Sequence, residues 1–339
     1  MFQRHDYVLT PTGTRAPLYV VVPVFNAIRW RSRWKLLADF VKRCDEAGAI
    51  PYVVEVAFGD RAFAVTDPTN PRHVQLRTNS ELWLKERAIN IGVSRLPHDW
   101  KYVAWVDGDV TFVRDDWADE TIHQLQHYAI VQMFSEAMDL TSDHEFLAAY
   151  RSFGDSFVKG IPWETGKPLT PKTYYGGGTP AGTPNRGIWK YRHHPGYGWA
   201  ARRDAFDALG GLFDVAVIGE ADYIMARALA GAGLSAVKPG VSPGYKAAIL
   251  EWQARADRSI RRNLGCVPGL LLHHWHGPKV KRVYWERTEL LIETQFDPAV
   301  DIKPDWQGLY QLTGRSLRLR DGLRSYFRQR DEDAPTSKE

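Results

Sequence analysis

The chain has 339 residues, 44% of them hydrophobic, with 13 Trp and a formal net charge of +4. That is enough to bury a sizeable core as one large domain or two modest ones, and a mildly basic balance permits an anionic partner without demanding one. Two cysteines, Cys44 and Cys266, exclude a disulfide framework and a cysteine metal site, and no apolar run approaches the roughly 20 residues of a spanning helix.

The start, MFQRHDYVLTPTGTR, lacks the apolar stretch of a signal peptide. A soluble, cytoplasmic protein is expected. Residues 1–16 are polar and read as a loose arm. Residues 18–25 (LYVVVPVF) form a near-continuous apolar run, the pattern of a strand buried on both faces of a parallel sheet. Residues 29–47 place Trp34, Leu37, Phe40, Val41 and Cys44 at helical spacing, and Gly48 stops the helix. Residues 50–58 (IPYVVEVAF) read as a second strand, so strand, helix and strand follow within about forty residues, the unit of a right-handed α/β fold. Glu55 inside that strand is either a paired edge carboxylate or a contact for a nucleoside at the sheet's binding edge. Residues 73–77 suggest a short third strand. A helix over 80–96 is predicted, with Asn79 or Ser80 as N-cap. It brings Lys85, Arg87 and Asn90 close together, as a solvated face or as cations for a diphosphate.

The stretch 101–113, KYVAWVDGDVTFV, is the chemical centre of the sequence. A buried strand, 102–106, ends in Asp107-Gly108-Asp109, which puts two carboxylates at its C-terminal edge, where open α/β sheets bind ligands. Strand alternation aims both acids the same way, and Gly108 would let a bulky ligand approach the backbone. Two hard oxygen donors suit Mg²⁺ or Mn²⁺ with phosphate oxygens. Asp-Gly is equally a hairpin signal.

Residues 116–127 read as a helix and 128–134 as a further strand. Residues 161–192 are rich in Gly, Pro, Thr and aromatics without a period, as in a binding loop over an active site, with Trp189 among the rings suited to stacking. Glu220 and Asp222 stand at a helix start, a position that favours carboxylates in any case. Residues 269–284 (GLLLHHWHGPKVKRVY) deliver His273, His274 and His276 from an apolar run; on a strand His274 and His276 share one face, so either could complete a metal site. Lys279, Lys281 and Arg282 could lie over a diphosphate. Residues 286–330 are expected to form a helical basic extension. Its last helix carries Arg315, Arg318, Arg320, Arg324, Arg328 and Arg330, either a solvated face or a contact for a polyanion such as DNA. Residues 331–339 read as a disordered tail.

Taken together, VVPVFN (21–26), KERAINIG (85–92), VDGDV (106–110), GYGWAARRDAFDALGG (196–211), GEADYIM (219–225) and HHWHG (273–277) resemble the GT-A glycosyltransferases. The resemblance implies one Rossmann-like catalytic domain over 17–285, with a mostly parallel central sheet flanked by helices. It implies Mn²⁺ or Mg²⁺ on Asp107 and Asp109 with His276 or His274, and a nucleotide-sugar donor, a UDP-sugar by expectation, near Pro23, Phe25, Glu55, Lys85, Asn90, Asp107 and Lys279. It further implies a sugar and acceptor pocket at Gly196, Tyr197, Gly198, Trp199 and Trp189, and a catalytic base at Asp222 or Glu220, with Asp222 preferred. Many inverting relatives read Glu-Asp where this chain has Glu220-Ala221-Asp222, so the anomeric outcome is left open. The closing region also looks like glycosyltransferase-like proteins of phages and bacteria, some of which modify hydroxymethylated DNA bases; a saccharide or protein acceptor suits the same core. Rival readings are a sugar-phosphate nucleotidyltransferase, which should carry a glycine-rich loop after the first strand, and a nucleotide-sugar-binding module without catalysis.

Overall fold

A computed structural model describes residues 16–161, 189–284 and 286–336. β1 (Leu18–Phe25), β2 (Ile50–Phe58), β3 (His73–Thr78), β4 (Tyr102–Val106), β6 (Ile130–Gln132), β10 (Gly198–Arg202) and β11 (Leu264–Cys266) form a seven-stranded sheet in the order β11-β6-β10-β4-β1-β2-β3. Each neighbouring pair is parallel except those made by β10, which runs antiparallel to both β4 and β6. The expected α/β architecture with a mostly parallel sheet is therefore present.

Both faces of that sheet are covered, which is why its strands read as unbroken apolar runs. Tyr19, Val21 and Phe25 of β1 pack into one core with α2 (Lys85–Val93), α6 (Ala221–Leu229) and α7 (Pro243–Ser259). Val20, Val22 and Val24 pack into the other, with α1 (Arg31–Glu46) and α3 (Trp117–Leu125). Leu37, Phe40 and Cys44 supply the buried stripe of α1, and Gly48, at φ +71°, takes the left-handed turn that ends it. Leu291, Phe296, Leu319, Leu323 and Phe327 of the C-terminal region belong to the first core, so this extension is packed into the main body.

Two predicted elements change. The helix expected over 80–96 begins only at Lys85, behind Leu84 with no side-chain cap, because Trp83 is held by a backbone bond to Val217. A second sheet that the sequence did not disclose combines one strand before β6 with four after it. Its order is β5 (Val110–Phe112), β12 (Leu270–His273), β7 (Glu136–Leu140), β8 (Phe146–Ser152) and β9 (Trp189–His194). Its register has chemical consequences: β12 pairs His273 with Val110 on one side and with Asp139 on the other. A strand adjoining the Asp-Gly-Asp turn and an internal aspartate are thereby drawn to one histidine. No helix among the described residues is long and apolar enough to cross a membrane.

Candidate functional site

At the C-terminal edge of β4 the chain opens into a cleft with about 1230 Å³ of atom-free space, open to solvent. Asp107 and Asp109 both line it, but they face different partners. Asp107 Oδ1 lies 2.5 Å from Lys85 Nζ. Asp109 turns to the histidines: its Oδ2 is 3.0 Å from His276 Nε2, and its Oδ1 is 3.9 Å from His273 Nε2. The two imidazole Nε2 atoms are themselves 3.1 Å apart. Among the described residues Asp109, His273 and His276 form the one group of donors placed to share an ion, their ligand atoms within 4.8 Å of one another. Asp109 Oδ1 is buried and accepts no hydrogen bond. A buried acceptor left without a donor, beside two facing imidazole nitrogens, is the arrangement that a divalent cation satisfies.

The structure thus regroups the expected ligand set. Asp109 and His276 enter it, His273 joins them, and Asp107 is engaged by Lys85. His274 is turned away: its Nε2 pairs with Thr111 Oγ1 at 2.8 Å, and its backbone N–H donates to the Asp109 carbonyl at 2.9 Å. The strand alternation that grouped His274 with His276 fails because β12 ends at His273 and the chain bends, bringing positions three apart together instead. Burial, with Arg43 and His273 close by, lowers the His274 pKa to about 4. Gly108 also has another reason than the one expected. A Cβ there would meet Leu37 Cδ1 at 3.2 Å and Val22 Cγ1 at 3.4 Å, so its bareness serves the packing of α1 on the sheet.

Around the donor set, burial alone would raise the Asp109 pKa, but His276, His273 and Arg33 bring it below the usual carboxylate range. Behind His276 stands Glu332, nearly inaccessible, with its Oε2 3.8 Å from His276 Nδ1. It pairs with Arg33 and, at 2.6 Å, with Arg330. Residues 331–336 were expected to be disordered; they are stitched to the body. Lys281 pairs with Asp331, Arg31 N and Ser32 N each donate to Asp333 at 2.9 Å, and Trp275 Nε1 donates to the Ala334 carbonyl at 2.6 Å.

The opposite wall is built from Lys85, Glu86, Asp107 and Asp222. Here acids outnumber cations. Burial raises Glu86 to about 8, with Asp222 and Asp107 adding to the shift against Lys85. Burial likewise raises Asp222, with Asp107 adding and Lys85 opposing. Glu220 is different: it is fully buried, accepts from Tyr245 Oη at 2.8 Å, and does not line the cleft. It ties the start of α6 to α7. Of the two acids put forward as base, the structure leaves Asp222 at the cleft.

Pro23, Phe25 and Lys279 line the cleft; Glu55 and Asn90 do not. Glu55 is consumed locally, accepting from the backbone N–H groups of Ala64, Val65 and Thr66 and from Thr66 Oγ1 at 2.6–3.1 Å. It anchors the loop after β2. Asn90 clasps the turn after α5 (Arg203–Leu209), accepting from Leu212 N at 2.8 Å and donating to Asp214 at 3.0 Å. Gly196 and Tyr197 reach the cleft, whereas Gly198 and Trp199 are buried in β10. The Trp189 side chain lies outside the described residues. Tyr197 holds φ +77°, a costly value for a tyrosine, and is fixed by stacking on His194 at 4.2 Å and on His273 at 4.5 Å.

The cleft also gathers Arg33, Lys279, Arg282, Arg287 and Arg330, which with Lys85 suit a polyanionic ligand by their convergence, although Lys85, Lys279, Arg33 and Arg330 also pair with Asp107, Asp139 and Glu332. Sequence patterning missed Asp139, Glu86, Arg33 and Glu332. Five arginines on α10 (Leu317–Gln329) and just before it, by contrast, are paired outside the cleft: Arg315 with Asp301, Arg318 with Glu293, Arg320 with Asp321, and Arg324 and Arg328 with Glu81.

No protein-family model and no curated protein matches the chain. Among solved structures it is similar to the catalytic domain of Drosophila beta1,4-galactosyltransferase 7 in complex with xylobiose, at 12% identity and TM-score 0.33, over 64% of this chain and 62% of that one. The chain therefore spans less than two thirds of that domain. Glucosyl-3-phosphoglycerate synthase from Mycobacterium tuberculosis, in complex with Mn²⁺, uridine diphosphate and phosphoglyceric acid, is similar at 12% identity and TM-score 0.36, over 92% of this chain and 94% of that one. So is 4-diphosphocytidyl-2C-methyl-D-erythritol synthase from Anaerococcus prevotii, at 12% identity and TM-score 0.30, over 75% and 89%. The names of these proteins differ in reaction, and function is read below from this chain's own side chains.

Proposed function

We propose that the chain is a metal-dependent glycosyltransferase, moving a sugar from a nucleoside-diphosphate sugar to an acceptor hydroxyl, with uridine as the expected base. One observation carries this reading: the Asp109–His273–His276 donor set and Asp222, a carboxyl whose basicity burial raises, line a single cleft. Two histidines and one carboxylate also form the donor set of non-haem iron sites. The cations lining the cleft favour a phosphate-bearing ligand over that alternative. Two imidazole donors also tilt the choice of ion from Mg²⁺ toward Mn²⁺.

Asp109, His273 and His276 would hold the ion, which when bound draws charge from a departing diphosphate. Lys279 and Arg282, beside the donor set, share that charge. Asp222 accepts the acceptor's proton while the acceptor oxygen bonds to the anomeric carbon; the bond from that carbon to the diphosphate oxygen breaks, and its electron pair leaves with the diphosphate. A carboxylate whose pKa burial raises is, when ionised, a stronger base than an exposed one. A nucleotidyltransferase is disfavoured because 23–34 contains no glycine to cradle phosphates after β1. A hydroxymethylated base in DNA was one candidate acceptor, raised by the likeness to phage and bacterial proteins and suited by the arginines of α10. Their pairing with acids removes that support, and we assign the acceptor to a smaller hydroxyl compound such as a saccharide.

The test is thermal denaturation with nucleoside diphosphates and their sugars, with and without Mn²⁺. Uridine diphosphate or a UDP-sugar raises the melting temperature in the presence of the ion, and Asp109→Ala and His276→Ala each abolish the rise while leaving the fold intact. An equal rise without the ion, or in both variants, would contradict the proposal.

A further inference from the structure

The donor set depends on a residue that does not belong to it. Asp139 lies in the middle of β7 and is 2% exposed. Its Oδ1 is 2.8 Å from His273 Nδ1 and accepts from Tyr197 Oη at 2.9 Å. Its Oδ2 accepts from Tyr150 Oη at 2.5 Å and from Lys279 Nζ. Four hydrogen-bonding groups therefore converge on one buried carboxylate. Three of them, Tyr150, Tyr197 and Lys279, carry hydrogens whatever their surroundings and hold the carboxylate still. The fourth is the far nitrogen of His273, whose near nitrogen looks toward Asp109 and His276.

We infer that Asp139 is a positioning residue for the metal site: it holds the hydrogen of His273 on Nδ1, so that the Nε2 lone pair points to the ion. The inference rests on the proposed metal-dependent function and adds to it a residue that touches neither ion nor substrate. The chemistry is general, since a ligating imidazole donates its other N–H to a carboxylate that fixes tautomer and ring orientation. The placement is specific to this fold. The register of β12 on β7 sets His273 directly beside Asp139, and the Tyr197 ring, stacked 4.5 Å from His273, keeps the imidazole from swinging away.

The test uses the full chain. In the ion-free protein with ¹⁵N-labelled histidine, ring-nitrogen shifts report which nitrogen of His273 is protonated. Wild type shows His273 as the Nδ1–H tautomer, and Asp139→Asn loses that state. A wild-type His273 carrying its hydrogen on Nε2 overturns the inference, whether or not the protein binds metal. Mn²⁺ affinity, read by electron paramagnetic resonance of the free ion, supplies the second arm. Asp139→Asn weakens binding about 10- to 100-fold in the wild-type background, the usual cost of an outer partner. In a His273→Ala background the same substitution changes affinity less than about threefold, because Asp139 acts through the ring that is gone. An equal loss in both backgrounds would mean that Asp139 only supports the core, and the inference fails. Absence of Mn²⁺ binding to wild type would instead count against the proposed function, leaving the tautomer to decide the role of Asp139.

Discussion

The two walls of the cleft contain the same kind of residue in opposite electrostatic states. Asp109 on the histidine wall, half-buried, and Asp139 and Glu332, fully buried behind it, are each held below the usual carboxylate range. Burial pushes each of them up, but His276 brings Asp109 down, Lys279 and His273 bring Asp139 down, and Arg33 and Arg330 bring Glu332 down. On the lysine wall, Glu86 and Asp222 feel the same burial but share one lysine with Asp107, and both are raised. Burial alone therefore does not decide the state of an acid here; the ratio of cations to acids does. The acids on and behind the first wall are shifted toward their ionised form, and those of the second toward their protonated form. Environments that separate carboxyl groups in this way assign acid–base roles.

Removing a base breaks the comparison most severely. Asp222→Asn is expected to lower the transfer rate by about 10²- to 10⁴-fold, the range attributed to a positioned general base. Mn²⁺-dependent nucleotide binding should stay near wild type, since Asp222 is not in the donor set. Steady-state kinetics and calorimetry would separate the two, and an unchanged rate would place the base elsewhere.

Next is the histidine wall's dependence on its cations. Glu332→Ala leaves Arg330 buried without its carboxylate and removes a partner of Arg33. Breaking a buried ion pair from one side costs about 3–5 kcal/mol, which denaturant unfolding would measure. A loss of less than about 1 kcal/mol would show that residues 331–336 do not brace the site.

The effect that is smallest per step of measurement sharpens the comparison by pH. Glu86 has a folded pKa raised above its unfolded value, so between about 4.5 and 8 the folded state binds more protons than the unfolded one. Stability contributed through Glu86 then falls as pH rises across that window, by about 1.4 kcal/mol per pH unit at most. The lowered acids of the histidine wall act in the other direction: their stabilisation is present above their ordinary pKa values and is lost as pH falls through their folded ones. Glu86→Gln should flatten the first slope and leave the acid limb unchanged. Melting temperatures from pH 4 to 9 test this, and an unaltered slope in the variant would mean that Glu86 is ionised in the folded state.

The sequence shows one half of this architecture much better than the other. β1, α1 and β2 were legible because strands buried on both faces are continuous apolar runs and because Leu37, Phe40 and Cys44 keep one helical stripe. Asp-Gly-Asp was legible because the strand before it is apolar throughout. The second sheet was not. Asp139 lies in EAMDL, where an acid in the middle of a short strand gives no alternation, and its burial depends on Tyr150, Tyr197, His273 and Lys279, none of them nearer than eleven positions. His273 was passed over for His274 because the end of β12 cannot be read from LLLHHWH. Residues 331–333 look like a solvated acidic tail, yet each acid finds a partner 50 to 302 positions away: Lys281 for Asp331, Arg33 for Glu332 beside its near neighbour Arg330, and the start of α1 for Asp333. Local patterning reports local structure, and these contacts depend on long-range register.

The central claim is that the ion sits on the histidine wall and not between the two aspartates of the turn. Crystals grown with Mn²⁺ and uridine diphosphate, measured at the manganese absorption edge, would locate it directly. The account predicts a single anomalous peak within bonding distance of Asp109, His273 Nε2 and His276 Nε2, with Asp107 still facing Lys85. A peak shared by Asp107 and Asp109 with His273 unengaged, or no peak in the cleft with nucleotide bound, would contradict it.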